Sequence, residues 1–305
     1  MVAPTVRIRG VEIEDTFAEA FGMRAARVVI TAATPGWARE AALKMTGFAT
    51  SVIACKCEAA IERELGADET PDGRAGVAVL VFATDTAGLT TRLIERIGQT
   101  VLTCPTTSCF DGLPGQTDRL PAGRAIRVFG DRFQISKVVG GARYWRVPVM
   151  EGEFLLSETF GVEKKAVAGG NFLILAEDGA SALGAAEAAV DAISGTPDVI
   201  LPFPGGVVRS GSKVGARAYR GMIASTNDAY CPTLRPLTRS ALPDGVNSVL
   251  EIVLDGLNAD AIARAMRAGI ERACRAGVRA ISAGNYGGTL GPHQFHLRRI
   301  MADLS

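Results

Sequence analysis

The order of strand-like and helix-like runs constrains this chain more than any other feature. Residues 27–34 (RVVITAAT) are rich in β-branched side chains and read as a strand. Residues 35–47 (PGWAREAALKMTG) read as a helix, with Pro35 at its start and Gly47 at its end. A second strand is expected at 49–55 (ATSVIAC), and 69–76 (ETPDGRAG) has turn chemistry. A strand at 77–84, a helix at 87–99 and a strand at 100–104 complete the set. The order is βαβ-βαβ, the ferredoxin-like pattern.

The second half repeats it. Strands are expected at 171–177, 198–203, 247–256 and 278–284, with helices at 178–194 and 258–277. In the last helix Ile262, Met266 and Ile270 recur at four-residue spacing and mark a buried face, while Asn258 caps its start and Gly277 stops it. The chain therefore reads as an α+β protein of two ferredoxin-like lobes, residues 1–147 and 148–305, with the boundary near Pro148. A further helix is expected over 12–21, because Thr16 and Glu19 have capping-box spacing. If the first and third strands of the second lobe run parallel and the fourth lies antiparallel beside the first, Gly170-Asn171-Phe172, Ser248–Glu251 and Gly284-Asn285-Tyr286 share one edge. Two Gly-Asn-aromatic motifs and an acidic residue then converge. Helices cover one face of such a sheet, so the other face should meet the other lobe or a second copy.

Composition removes several functional classes. Among 305 residues, 33 are basic and 32 acidic, which leaves no electrostatic grip on nucleic acid or anionic lipid. No apolar run is long enough for a membrane helix and no signal core opens the chain, so a cytosolic protein is expected. The six cysteines show no zinc-type pairing, and a disulfide framework is not expected in such a chain. The two histidines, His293 and His296, lie in an expected terminal strand or arm. Chemistry must therefore come from other groups.

Glu251 is the leading candidate. In Val249-Leu250-Glu251-Ile252-Val253, alternation places it on the face of Val249 and Val253. A carboxyl group among valines is raised in pKa by burial and suits general acid–base work; a partly exposed strand glutamate fits the alternation as well. Residues 202–215 (PFPGGVVRSGSKVG) form the richest loop. Gly206 and Gly211 have P-loop spacing, but Ser212 and Lys213 stand in reverse order, so the P-loop reading fails. Ser212 and Lys213 could hold an anionic or carbonyl group, and a plain surface loop has the same composition. Cys-Pro-Thr occurs at 104–106 and 231–233, with no histidine near either as a base.

Ordered blocks along the chain resemble a known family. They are EDTFAEAF (14–21), VITAAT (29–34), VLTCPTT (101–107), VAGGNF (167–172), PFPGG (202–206), SGSKVG (210–215), STN (225–227), CPTL (231–234) and ISAGNYGG (281–288). The chain resembles formylmethanofuran–tetrahydromethanopterin formyltransferases from about Glu12 to His296. The resemblance implies two ferredoxin-like lobes, a homo-oligomer (dimer or tetramer), and reversible formyl transfer between the methanofuran amine and a ring nitrogen of tetrahydromethanopterin. Both carriers are then substrates, with no metal and no tightly bound cofactor. It makes Glu251 the acid–base candidate. Ser212, Lys213, Thr226 and Asn227 become cleft residues, Phe203, Pro204, Gly205 and Gly206 a wall, and Asn171 and Asn285 organisers of the sheet edge. The Ala- and Arg-rich, near-neutral composition departs from the acidic tone of methanogen enzymes and suggests a bacterial version in formaldehyde oxidation. That version implies hydrolase-complex subunits as partners. The competing readings are a non-catalytic scaffold subunit of such a complex and an acyltransferase using Cys104 or Cys231.

Overall fold

The computed structural model describes residues 6–289 and 291–302. In chain order its elements are β1 (Val6–Ile8), β2 (Val11–Ile13), β3 (Phe17–Thr31), α1 (Pro35–Thr46), α2 (Val52–Cys55), β4 (Glu58–Leu65), β5 (Gly76–Ala83), α3 (Thr86–Arg96) and β6 (Ser108–Asp111). Then come β7 (Arg119–Leu120), α4 (Ala122–Ile126), β8 (Ile135–Val139), β9 (Ala142–Val149), β10 (Gly152–Ser157), β11 (Phe160–Gly161), β12 (Glu163–Ala176), α5 (Gly179–Ile193) and β13 (Val199–Ile200). The chain ends with β14 (Lys213–Val214), β15 (Ala224–Ser225), β16 (Ser248–Gly256), α6 (Ala259–Ala273), β17 (Val278–Ser282), β18 (His293–His296) and α7 (Leu297–Met301). The protein is mixed α/β, in two compact units. One is Met23–Ala166; in the other, residues up to Gly22 join those from Val167 onward. The single cut expected at 147/148 falls at the end of β9, inside the first unit. The strand pairing accounts for this: β10 pairs with β9 and, in parallel, with β6 at Leu156↔Cys109, which ties the β8–β10 meander to the strands before it.

In the 23–166 unit β3 pairs antiparallel with β5 and β6, and β5 with β4. The strand order is β6-β3-β5-β4. Helix α1 begins as expected, with the Thr34 hydroxyl accepting from Trp37 N and Pro35 in the first turn. Two expected strands are helical instead. Residues 52–55 form α2, because Ser51 caps it and Lys56 stops it in a left-handed conformation (φ 65°). Ile97–Val101 continues α3 as a π-turn, and the Thr100 and Thr103 hydroxyls bond back to the Arg96 and Gln99 carbonyls. Short apolar runs read alike as strand or buried helix, and here the capping groups decide.

In the other unit β12 pairs antiparallel with β16 and β17, and β16 with β13, giving the order β17-β12-β16-β13. The expected parallel first and third strands are therefore antiparallel, and Gly170 lies opposite Leu254 rather than Ser248. Helices α5 and α6 cover one face; Asp178 and Asn258 cap them, and Ile262, Met266 and Ile270 are fully buried. The expected helix at 12–21 is absent. Residues 17–20 pair as strand with β18, with Ala18 and Ala20 in the core. The Thr16–Glu19 spacing misleads because Glu19 bonds the distant backbone near Tyr286 instead of its own. On the opposite face from the helices, Leu173, Leu175 and Ala280 meet Leu242, Val246 and Tyr230 from the 205–247 excursion. The chain itself thus covers part of the face expected to need another lobe or copy.

Candidate active site

All expected site residues belong to this second unit. Glu251 lies opposite Leu173 on β12, on the face away from α5 and α6, as alternation requires. The other edge of β16 takes an isolated bridge from the excursion: Val208 N donates to Glu251 O at 2.8 Å, and Glu251 N to Val208 O at 3.0 Å. This fastens the loop across the glutamate. A cavity of ≈130 Å³ results, lined among others by Leu173, Asn227, Tyr230, Cys231 and Glu251. Among the described residues no hydrogen-bond or ion-pair partner faces the Glu251 carboxyl, and burial pushes its pKa from 4.5 to about 7.

That shift has a stability consequence. The folded state binds this proton more tightly than the unfolded chain, so the favourable contribution is complete below pH 4.5 and is lost as pH rises through about 7. Glu251→Gln should match the wild type near pH 4.5. Above pH 8 it should exceed it by roughly 1–3 kcal/mol, after allowance for solvent reaching the half-buried side chain. Urea unfolding at the two pH values checks this, and a pH-independent offset would count against a desolvated carboxyl.

The remaining candidates divide by what holds them. Phe203 and Pro204 line an open hollow of ≈550 Å³ that shares Val208, Arg209 and Ser210 with the smaller cavity. Gly205 and Gly206 turn the chain behind it with φ of 62° and 75°. At Gly206 a Cβ would stand 2.9 Å from Leu201 Cδ1 and Val190 Cγ2, so both conformation and space demand glycine there. Ser212 meets the Tyr286 phenol. Burial raises that phenol's pKa, the Ser212 hydrogen bond lowers it, and the Glu251 and Glu19 charges raise it further. Lys213 is tied to Asp228, which the ammonium holds below the usual carboxylate range. Its charge therefore already has a partner. Thr226 is exposed and accepts from Asp228 N through its carbonyl; Asn227 lines the cavity.

The two Gly-Asn-aromatic motifs do meet. Asn171, 5% exposed, accepts from Gly284 N at 2.6 Å and donates to the Gly169 and Gly284 carbonyls at 3.0 and 3.2 Å. Its amide is occupied in clamping the backbone. Asn285 donates to Thr16 Oγ1 at 2.9 Å. Burial raises the Cys104 and Cys231 thiols above their ordinary pKa, aided by nearby carboxylates, which is opposite to what a thiolate nucleophile needs. Among the described residues no three His, Cys, Asp or Glu side chains form a group able to hold a metal ion, and no helix is long and apolar enough to cross a membrane. Sequence reasoning missed Tyr230 and Glu14, placed Tyr286 only as the aromatic of its motif, and read Glu19 as a local cap former. Only the aromatic after Asn285 gave any signal.

Two family models match the chain. Residues 6–149 match formylmethanofuran-tetrahydromethanopterin formyltransferase, and residues 152–300 match its proximal lobe. A formylmethanofuran–tetrahydromethanopterin formyltransferase of Methylococcus capsulatus is 60% identical over 97% of this chain and 99% of its own length. One component of the formyltransferase/hydrolase complex of Methylorubrum extorquens is 50% identical over 96% of this chain and 97% of its own length. Among solved structures, that organism's complex with methylofuran contains a chain of TM-score 0.95 and 49% identity, covering 98% of this chain and 99% of the other. The Methanosarcina barkeri enzyme gives a TM-score of 0.92 at 48% identity, over 97% of this chain and 100% of the other. Similarity of this extent over both halves makes the chain a member of the formylmethanofuran–tetrahydromethanopterin formyltransferase family.

Proposed function

We propose that this protein moves a formyl group reversibly between the amine of methanofuran and N5 of tetrahydromethanopterin, with both carriers bound as substrates. The observation that carries the reading is Glu251. It is a half-buried carboxyl without a partner among the described residues, lining a cavity and balanced near neutrality at about 7. Formyl transfer passes through a tetrahedral intermediate, and the leaving amine must receive a proton. A neutral Glu251 supplies that proton, and the ionised form accepts it in the reverse direction. The Phe203–Pro204 hollow serves as the wall for a carrier's ring. Asn227 and Ser212 are donors toward the developing oxyanion, Lys213 holds the 213–225 hairpin through Asp228, and Thr226 borders the cleft. Asn171 and Asn285 keep the sheet edge in register. Gly205 and Gly206 let the chain turn close behind the substrate.

The strand orders β6-β3-β5-β4 and β17-β12-β16-β13 support reading the two units as ferredoxin-like lobes. The likeness to a component of the Methylorubrum complex supports an assembly with hydrolase-type subunits. A homo-oligomer of two or four copies, in the cytoplasm, completes the reading. Purified protein should transfer formyl between the two carriers. Inactivity both alone and with the hydrolase subunits would overturn the enzyme reading in favour of a scaffold.

A further inference from the structure

On the face that holds Glu251, three strands place residues in one row. Glu251 on β16 is opposite Leu173 on β12, and Leu173 is opposite Ser282 on β17. Inter-strand spacing sets the Glu251 and Ser282 backbones about 10 Å apart. Ser282 is fully buried, and its hydroxyl donates to Glu14 Oε2. The Tyr230 phenol oxygen lies 3.2 Å from the same Ser282 Oγ. A hydroxyl has one proton to give. Ser282 gives its proton to Glu14, so the proton of the Tyr230–Ser282 bond comes from the phenol. The wire has one sense: Tyr230 to Ser282 to Glu14. The phenol oxygen keeps its lone pairs, and Tyr230 lines the same cavity as Glu251. That cavity therefore has a carboxyl group and, across Leu173, a hydroxyl oriented to accept.

We propose that the Tyr230–Ser282–Glu14 chain takes the proton from the attacking amine while Glu251 supplies the proton for the leaving one. This rests on the formyltransferase reading. The attacking nitrogen's lone pair forms a bond to the formyl carbon, and the carbonyl pair moves onto oxygen. The amine proton passes to Tyr230 as the phenol proton moves to Ser282 and the Ser282 proton to the Glu14 carboxylate. The oxygen pair then re-forms the carbonyl, the C–N bond to the first carrier breaks, and its electron pair takes the proton of the Glu251 acid. Glu14 ends protonated and Glu251 ionised, and exchange with water resets both. Tyr230 touches substrate; Ser282 and Glu14 act through it.

The surroundings suit the assignment. Glu12 on β2 faces Glu14 as a like charge and is itself paired with Arg7. Arg298 of α7 bonds the Ile13 carbonyl and pairs with Asp15. Burial, and to a lesser degree Glu12, raises the Glu14 pKa against the Ser282 hydrogen bond. Burial also raises the Tyr230 phenol, against the Ser282 hydrogen bond and with the Glu14 charge, so it stays protonated at neutral pH and relays rather than stores a proton.

The test is formyl transfer between the two carriers by wild type, Tyr230→Phe, Ser282→Ala and Glu14→Gln. Active wild type with Tyr230→Phe and Ser282→Ala each reduced about 10²-fold or more in kcat, at carrier affinities within about threefold, supports the relay. These two variants remove one oxygen each. The wild-type kcat should fall in acid as Glu14 is protonated and in base as Glu251 ionises. Glu14→Gln should lose the acidic limb and keep the alkaline one; a purely structural role would leave both limbs in place. Should Glu14→Gln not fold, the Tyr230→Phe profile reads the same limb. Rates within about threefold of wild type, or an intact acidic limb, overturn the relay while leaving the formyltransferase reading untouched. An inactive wild type overturns both.

Discussion

Glu251→Gln is expected to lower kcat for formyl transfer by roughly 10²–10⁴-fold while each carrier's affinity stays within about threefold. Glutamine keeps the shape and the hydrogen-bonding capacity but cannot release a proton. The carboxyl is suited to that release because burial holds its pKa at about 7, where proton donation and acceptance are nearly balanced. The variant should not misfold, since removing the buried acid relieves a desolvation penalty at neutral and alkaline pH. The effect should therefore fall on kcat and kcat/KM together, the signature of an interaction made in the transition state. Steady-state kinetics in both directions checks it. A variant that retains rate but loses affinity would make Glu251 a binding group and place the acid elsewhere. A gain in stability joined to a loss of rate would show that the strand keeps an unfavourable carboxyl for its chemistry.

The face occupied by Glu251 was legible because strand periodicity depends only on the residues beside it: Val249 and Glu251 alternate with Leu250 and Ile252, and the last two enter the helix-side core. The helix cap at Asn258 was legible for the same local reason. Residues 49–55 and 100–104 were misread because a short apolar run carries no periodicity that separates a strand from a buried turn of helix. The Thr16–Glu19 pair failed differently. Its spacing is that of a local cap, yet the carboxylate is used by backbone some 270 positions later. The Tyr230–Ser282–Glu14 chain has the same character: no two of its members are closer than 52 positions in sequence. The convergence of the two Gly-Asn-aromatic motifs follows from the fourth strand lying antiparallel beside the first, as β17 does beside β12, which brings Asn171 to Gly284. Only the parallel pairing expected of the first and third strands failed, since β12 and β16 are antiparallel.

Glu19→Ala should be the most damaging single substitution for the frame of the site, costing roughly 3–5 kcal/mol of stability. Glu19 is 1% exposed, and its carboxylate accepts from the backbone N–H groups of Tyr286 at 2.8 Å, Gly288 at 3.0 Å and Gly291 at 3.0 Å. The 284–289 segment turns through left-handed conformations at Gly287 and Gly288, so regular strand bonding cannot satisfy those donors. Gly291 leaves no slack, because a Cβ there would stand 2.2 Å from the Ala20 carbonyl oxygen. Charge-assisted hydrogen bonds are worth roughly 1.5–3 kcal/mol each, and three sharing one carboxylate are not additive. Glu19→Gln should lose less, since one oxygen remains, but its NH₂ then confronts a backbone donor. The same segment places the Tyr286 phenol near Glu251 and Ser212, so a loosened loop should also slow turnover. Denaturant unfolding and amide exchange at Tyr286, Gly288 and Gly291 read the two effects separately. Stability within about 0.5 kcal/mol of wild type, with those amides still protected, would mean that the loop is held by other contacts and that Glu19 is dispensable to the site.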